Sequence, residues 1–269
     1  TKYNNRDKLL SDYYVGMKVG EIWGYETMGF FQSEEEIASA PIQNKVQSSS
    51  GKKLLPGDIR FADLNNDGEI SEGLNRVGNS GDKKIIGNSS ARFNYGINLS
   101  ADWNGIFFSA FFQGVGKQDW WPGGESKFWG QYNRPYNDLP SWHIGNMWSE
   151  DNPDAYLPRL RGYTAMGDNR ELSVAQTKYL QNAAYIRLKN IQLGYTLPKS
   201  LVAKASLENV RFYVSGENLW TYSPMYKITR DTDVSSIYGS DRDVTSGGSG
   251  NGYNYPLLNS LSFGLSVTF

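Results

Sequence analysis

The sequence predicts an all-β chain whose strands cross a membrane as part of a transmembrane antiparallel β-barrel, and three observations carry that expectation. Segments of strict two-residue alternation recur along the chain, the connections between them are alternately short and long, and the composition is aromatic and glycine-rich. The 269 residues are 14% aromatic, with 18 tyrosines and 29 glycines, and only 20% are charged. Tyr and Trp gather where strands cross a membrane interface, their rings half in lipid and their polar tips in water. A soluble β-sandwich shares these statistics, so composition alone does not decide.

In chain order, the first candidate strand is Tyr13 to Tyr25, interrupted by Gly16, Gly20 and Gly24, which could equally mark a loop. Ser33 before Glu34, Glu35 and Glu36 reads as the start of a short solvated helix, where negative charge suits the helix dipole. Phe93, Tyr95, Ile97 and Leu99 then alternate with Asn94, Gly96, Asn98 and Ser100. Asp102 to Gly105 form a turn on Asn104-Gly105, and Ile106, Phe108, Ala110 and Phe112 place a second apolar set on the same side. Ile191, Leu193, Tyr195 and Leu197 alternate with polar residues, as do Val210, Phe212 and Val214. The chain ends on Leu261, Phe263, Leu265, Val267 and Phe269, alternating with Ser262, Gly264, Ser266 and Thr268.

The connections separate a barrel from a sandwich. Asp102 to Gly105 and Pro198 to Asn209 are short, whereas Gly116 to Asn182 and Tyr222 to Tyr253 are long. Outer-membrane barrels pair short periplasmic turns with long extracellular loops, and long structureless stretches argue against a compact soluble domain. With the short turns periplasmic, the C-terminus falls on that side too. Five clear strands cannot close around a lumen, so the remaining strands are expected from another part of the same protein.

Several classes are excluded or receive no support. A net charge of −1 offers no basic face for phosphate, so no nucleic-acid partner is expected. The absence of cysteine removes disulfides, thiolate nucleophiles and cysteine-ligated metals. No secretory signal opens the chain, and no apolar run approaches the roughly 18 residues of a spanning helix. The single histidine, His143, lies in the long loop without a motif of nucleophile and base, and reads as polar surface. No enzymatic activity is expected.

An ordered series of segments resembles the SusC/RagA family of TonB-dependent outer-membrane transporters. It begins with Val19-Gly20-Glu21-Ile22-Trp23-Gly24-Tyr25 and Gly29-Phe30-Phe31-Gln32-Ser33, and continues through Pro56-Gly57-Asp58-Ile59-Arg60 and Asp63-Leu64-Asn65-Asn66-Asp67-Gly68. Lys84-Ile85-Ile86-Gly87-Asn88, Tyr185-Ile186-Arg187-Leu188, Leu193-Gly194-Tyr195-Thr196-Leu197-Pro198 and Phe212-Tyr213-Val214-Ser215-Gly216-Glu217-Asn218-Leu219 follow, with a terminal Phe269. The resemblance implies a 22-stranded barrel in the outer membrane of a Gram-negative bacterium, of which residues 1–269 are a C-terminal portion. It also implies an N-terminal plug, a SusD-like surface lipoprotein over the external mouth, coupling to TonB through the N-terminal part, and import of oligosaccharide or peptide. The runner-up readings are a secreted carbohydrate-binding β-sandwich and, third, a β-rich hydrolase.

Two sites are expected. Asp63, Asn65 and Asp67, followed by Gly68, put oxygen-bearing side chains at positions 1, 3 and 5 of an EF-hand-like loop, with the Glu69 carbonyl at position 7. Position 12 is Leu74 rather than a carboxylate. Related sequences carry an acidic residue before a Lys-containing Ile-Ile-Gly stretch, and here Asp82, displaced by an insertion, or Glu72 would close the site. The expected ion is a structural calcium, with a metal-free Asx turn as the alternative. The long loop also carries Trp120, Trp121, Trp129 and Trp142, whose flat rings suit sugar faces as well as loop packing.

Overall fold

The computed structural model describes residues 4–47, 53–124, 126–161, 170–237, 252 and 257–269. The chain divides into two compact units. One comprises the described residues of Ala91–Gln118, Asn182–Lys227 and Tyr255–Phe269; the other comprises those of Thr1–Ser90, Asp119–Gln181 and Ile228–Asn254.

In chain order the strands are β1 (Glu21–Tyr25), β2 (Thr27–Phe30), β3 (Ile59–Phe61), β4 (Lys83–Asn88), β5 (Arg92–Trp103), β6 (Ile106–Lys117), β7 (Asp119–Trp120), β8 (Gln181–Asn182), β9 (Tyr185–Thr196), β10 (Asn209–Tyr222) and β11 (Ser260–Thr268). Among the described residues three short α-helices accompany them: α1 (Glu34–Ser39), α2 (Asn44–Gln47) and α3 (Lys199–Val202).

The strand unit is one antiparallel five-stranded sheet in the order β11-β10-β9-β6-β5, and all five strands read from the alternation are present. Because directly opposed residues share a face, the register sorts the side chains. One row runs Leu99, Ala110, Ile191, Gly216, Leu261, and the next runs Ala101, Phe108, Leu193, Val214, Phe263. The opposite face carries the row Ser100, Ser109, Gln192, Ser215, Ser262. The alternating patterns of separate strands thus add up to one apolar face and one polar face.

That apolar face is uncovered. Leu99, Leu193, Phe212, Leu261, Phe263 and Leu265 are between 50% and 78% exposed. In a sandwich these residues would form the core against a second sheet, so the runner-up reading fails on this face. Aromatic residues bound the face at both ends. Trp103 opposes Ile106, which is in register with Tyr195 and through it Phe212; at the other end Tyr95, Gly114, Ile186 and Tyr222 form a row, with Trp220 nearby. From Tyr195 to Ile186 the strand advances about 30 Å at about 3.3 Å per residue. Tilted by about 40°, that length spans about 23 Å of depth, close to the roughly 25 Å apolar band of an outer-membrane barrel.

On the polar face, glycines lie under rings. A Cβ on Gly264 would collide with Tyr213, and one on Gly194 would collide with Phe107. Both are directly opposed pairs in the row Gly264, Tyr213, Gly194, Phe107, Asp102. The Arg211 guanidinium stacks 4.3 Å from the Phe107 ring centre. Phe107, an apolar residue on a polar face, is thereby only 8% exposed.

The second unit has a different construction. Its sheets are small, β1 with β4 and β2 with β3. Of the candidate strand Tyr13 to Tyr25 only β1 forms, because Gly16 and Gly20 adopt φ of 96° and 83°, outside the strand region. Helix α1 starts where the sequence placed it: the Ser33 side chain accepts from the Glu36 amide at 3.3 Å, and the Glu36 carboxylate accepts from the Gln32 amide at 2.7 Å. The stretch Gly116 to Asn182, expected to be structureless, instead carries much of a core. Phe128, Trp129, Tyr132, Leu157, Leu172 and Tyr179 are all at most 2% exposed, and Phe31, Ile59, Phe61 and Ile70 are buried in the same unit. Residues 238–251 of the second long connection lie outside the described residues.

Candidate functional site: an acidic loop and an aromatic cluster

The acidic loop follows β3. Asp63 Oδ1 accepts from the Asn66 amide at 2.7 Å and its Oδ2 from the Gly68 amide at 2.9 Å. Asn65 Oδ1 accepts from the Asp67 amide at 3.0 Å, Asp67 Oδ1 accepts from the Glu69 amide at 2.9 Å, and Asn65 Nδ2 donates to Asp67 Oδ2 at 2.8 Å. Asn66 and Gly68 at positive φ, 59° and 83°, make the reversal. The Glu69 amide and the Asn65 side chain hold the Asp67 carboxyl below the usual carboxylate range. The Glu69 side chain points away into an ion pair with Lys45 at 2.9 Å.

Asp82 has a different task from Asp63 and Asp67. It is fully buried, and its two oxygens accept from the Leu64 amide at 2.7 Å and the Ser71 amide at 2.8 Å. One carboxylate therefore ties both ends of the loop together. The insertion preceding it folds on itself, with Leu74 and Arg76 bonded to the Asn79 carbonyl, and the Asp82 amide returns to the Ser71 carbonyl at 2.9 Å. Glu72 is held by Lys83 at 2.6 Å. The donor set left for a hard cation is Asp63, Asn65, Asp67 and the Glu69 carbonyl. Its oxygens match the first positions of a calcium loop in chemistry and in sequence spacing, but they already accept the loop's own N–H groups, and among the described residues no group of three or more His, Cys, Asp or Glu side chains converges as a metal site.

The four tryptophans weighed as ligand contacts or loop packing fall into one ring cluster. Trp120 packs edge-on to Phe128 at 6.2 Å, Trp121 lies 6.0 Å from Trp129, and Phe128 lies 5.0 Å from Trp129 and 4.9 Å from Trp142. Trp129 has no exposed surface and donates its indole N–H to the Pro122 carbonyl at 2.7 Å. It is a core residue, not a ligand platform. Trp142 packs against His143, at 4.2 Å, and Phe128. Trp120 and Trp121, each 7% exposed, keep only an edge on a cleft of about 480 Å³ that also takes in Asp12, Tyr13, Glu21, Ser89 and Ser90. Among the described residues, no Lys or Arg lines that cleft.

His143 corrects the sequence reading in the same way. It is fully buried between Trp142 and Tyr132, with Nε2 2.9 Å from the Phe128 carbonyl. Burial pushes its pKa down, so the ring is kept neutral. Spacing could not reveal this, because the surrounding rings converge only in three dimensions.

A buried ionic group escaped the sequence reading altogether. Asp58, Arg161 and Glu171 meet around the start of β3: Arg161 pairs with Asp58 Oδ2 and donates to the Lys53 carbonyl, while Glu171 Oε2 accepts from the Ile59 amide at 2.9 Å. Asp58 and Glu171 are 0% and 1% exposed. Burial first, and the Asp58 charge second, push the Glu171 carboxyl well above its ordinary value. The only sequence hint is the Pro56-Gly57-Asp58 turn; the partners lie more than a hundred positions away.

Comparison with known proteins gives a consistent picture. No family model matches the chain. It is 30% identical over 262 residues to TonB-dependent receptor P3 of Formosa agariphila, covering 94% of this chain and 22% of the relative. It is 24% identical over 273 residues to TonB-dependent receptor P26 of the same organism, covering 95% of this chain and 23% of that relative. In structure it is similar to the RagAB peptide importer in its open-open state, with a TM-score of 0.54 at 17% identity over 96% of this chain and 25% of that one. The RagAB peptide transporter gives the same TM-score at 19% identity. The chain thus spans about a fifth to a quarter of the length of the proteins it matches. These relatives are receptors and transporters rather than enzymes, in keeping with the expected lack of catalysis. The fold is that of a barrel segment, like that of the RagAB structures, and the chain belongs to the TonB-dependent receptors.

Proposed function

We infer that the full-length protein is an outer-membrane, TonB-dependent importer of oligomeric nutrients, to which this chain contributes C-terminal barrel strands and part of the exposed surface. The observation that carries this reading is the apolar face of the five-stranded sheet, uncovered and bounded by aromatics at membrane spacing. An N-terminal plug and further strands complete the barrel, TonB acts through that N-terminal part, and a SusD-like lipoprotein is the external partner. The cargo is an oligosaccharide or a peptide. A cleft lined by Asp12 and Glu21, and by no Lys or Arg among the described residues, disfavours polyanionic cargo. The test is to purify the full-length protein from outer membranes in mild detergent and identify what co-elutes, then to compare uptake of labelled neutral oligosaccharides and peptides in cells with and without the gene. Co-elution with a lipoprotein and loss of uptake of one cargo class support the reading. Recovery from the soluble fraction without detergent refutes it.

We also propose that a structural calcium ion binds at Asp63, Asn65, Asp67 and the Glu69 carbonyl, with Asp82 holding the loop's two ends in place. Such an ion would neutralise the clustered oxygens and stiffen the loop.

A further inference from the structure

The connection between β9 and β10 is more than a turn. After Leu197 and Pro198 the chain makes α3 and a 3-10 turn at Ala203–Ala205, then reverses at Ser206 with φ 56°. Helix α3 packs on β10. Val202 of the helix and Val210 of β10 are 4% and 7% exposed. Val210 opposes Val267 and lies on the apolar face of the sheet, one level beyond Phe212 and Leu265, which are 50% and 60% exposed. Both valines are buried at the end of an otherwise exposed face, and the helix that carries Val202 is packed on β10 there. The burial of Val210, a residue of that face, points to the helix folding over the apolar side of the sheet's end.

What the turn leaves outward is one large apolar residue between two cations. Leu201 is 54% exposed, and Lys199 and Lys204 are exposed. Neither lysine makes a salt bridge among the described residues; the one acid of the connection, Glu208, has its amide tied to the Thr268 carbonyl at 2.9 Å. We propose that this turn is an interfacial anchor, with Leu201 seated at the edge of the acyl region and Lys199 and Lys204 binding anionic phospholipid headgroups of the adjoining leaflet. The patch continues the apolar face at the level where its aromatic boundary, Tyr195, is reached. Lysine stems lie along apolar surface while their ammonium groups reach phosphate. Each basic residue near an anionic surface favours binding by about fivefold.

This inference rests on the membrane reading above, and its test separates the two. The full-length receptor is reconstituted in nanodiscs of phosphatidylcholine with or without phosphatidylglycerol, with a spin label on Leu201→Cys or, as a reference, on Leu265→Cys; this chain brings no cysteine of its own. The anchor predicts that both labels are reached by oxygen more than by a water-soluble nickel chelate, with the label at 201 shallower. It also predicts that Lys199→Gln/Lys204→Gln lowers the retained phosphatidylglycerol-to-phosphatidylcholine ratio, read by native mass spectrometry, by up to about thirtyfold. A label at 201 fully open to the chelate while 265 stays oxygen-rich overturns the anchor alone. An unchanged lipid ratio overturns the headgroup contact. Chelate access at both positions overturns the membrane reading itself.

Discussion

Placing one arginine on either face of β9 tests the assignment of the two faces with adjacent residues. Ile191 lies on the apolar face between Ala110 and Gly216, and Gln192 lies on the polar face between Ser109 and Ser215. The neighbours of Ile191 are small, so Ile191→Arg meets little steric resistance and its cost is the transfer of charge into lipid. Four residues beyond Tyr195, Ile191 is about 13 Å along the strand at about 3.3 Å per residue. With a tilt of about 40° that is about 10 Å deep in a band of about 25 Å, near the midplane, where an arginine costs about 2–4 kcal/mol. Gln192→Arg meets hydroxyls in a wet or polar-packed space, and a surface substitution of that kind stays within about 0.5 kcal/mol. The assay is denaturant unfolding of the full-length receptor refolded into vesicles, comparing midpoints at unchanged slope. Ile191→Arg is expected to lose about 2 kcal/mol or more relative to Gln192→Arg. Equal losses, or a greater loss at 192, would refute the assignment of the faces.

Four further outcomes follow. Gly264→Val should destabilise the strand unit by about 1–3 kcal/mol through overpacking against Tyr213. A double-mutant cycle with Tyr213→Ala should recover most of that loss, and additivity would count against the contact. Arg161→Met removes the guanidinium that pairs with the buried Asp58 and should cost about 3–5 kcal/mol in the unit that contains them. The folded pKa of Glu171 is raised above its unfolded value, so the stability linked to it is full below the ordinary carboxylate range and is lost as pH rises through the folded value. Glu171→Gln should flatten that decline in a pH series of unfolding midpoints, and an unaltered decline would show that another group causes it. Calcium should raise the unfolding midpoint of the wild-type protein, by about 2.7 kcal/mol at a hundredfold excess over Kd. The effect should vanish in Asp63→Asn/Asp67→Asn; a shift that survives this double substitution would place the ion elsewhere.

The strands were legible because their information is local. Alternation with period two depends only on which side of a pleated backbone each residue faces, so Leu261 to Val267 declare their two faces without knowledge of any neighbour. The same holds for the start of α1 at Ser33, whose cap lies within three residues. The acidic loop was legible in part: Asp63, Asn65 and Asp67 do turn about Gly68. Asp82, expected to close an ion site, instead ties Leu64 to Ser71, a task that depends on how the insertion before it folds.

The sequence by itself determined the strands, the two faces they present and the family they belong to. Only the tertiary structure decided which residues of the long connections are core. Trp129 and His143 resemble surface loop residues in sequence, yet both are fully buried because rings from positions 120 to 179 converge on them. The same convergence placed Arg161 and Glu171 on Asp58. Burial in an irregular unit comes from contacts between distant segments, which leave no period in the sequence. A strand facing lipid takes its environment from the bilayer, and the pattern is written residue by residue.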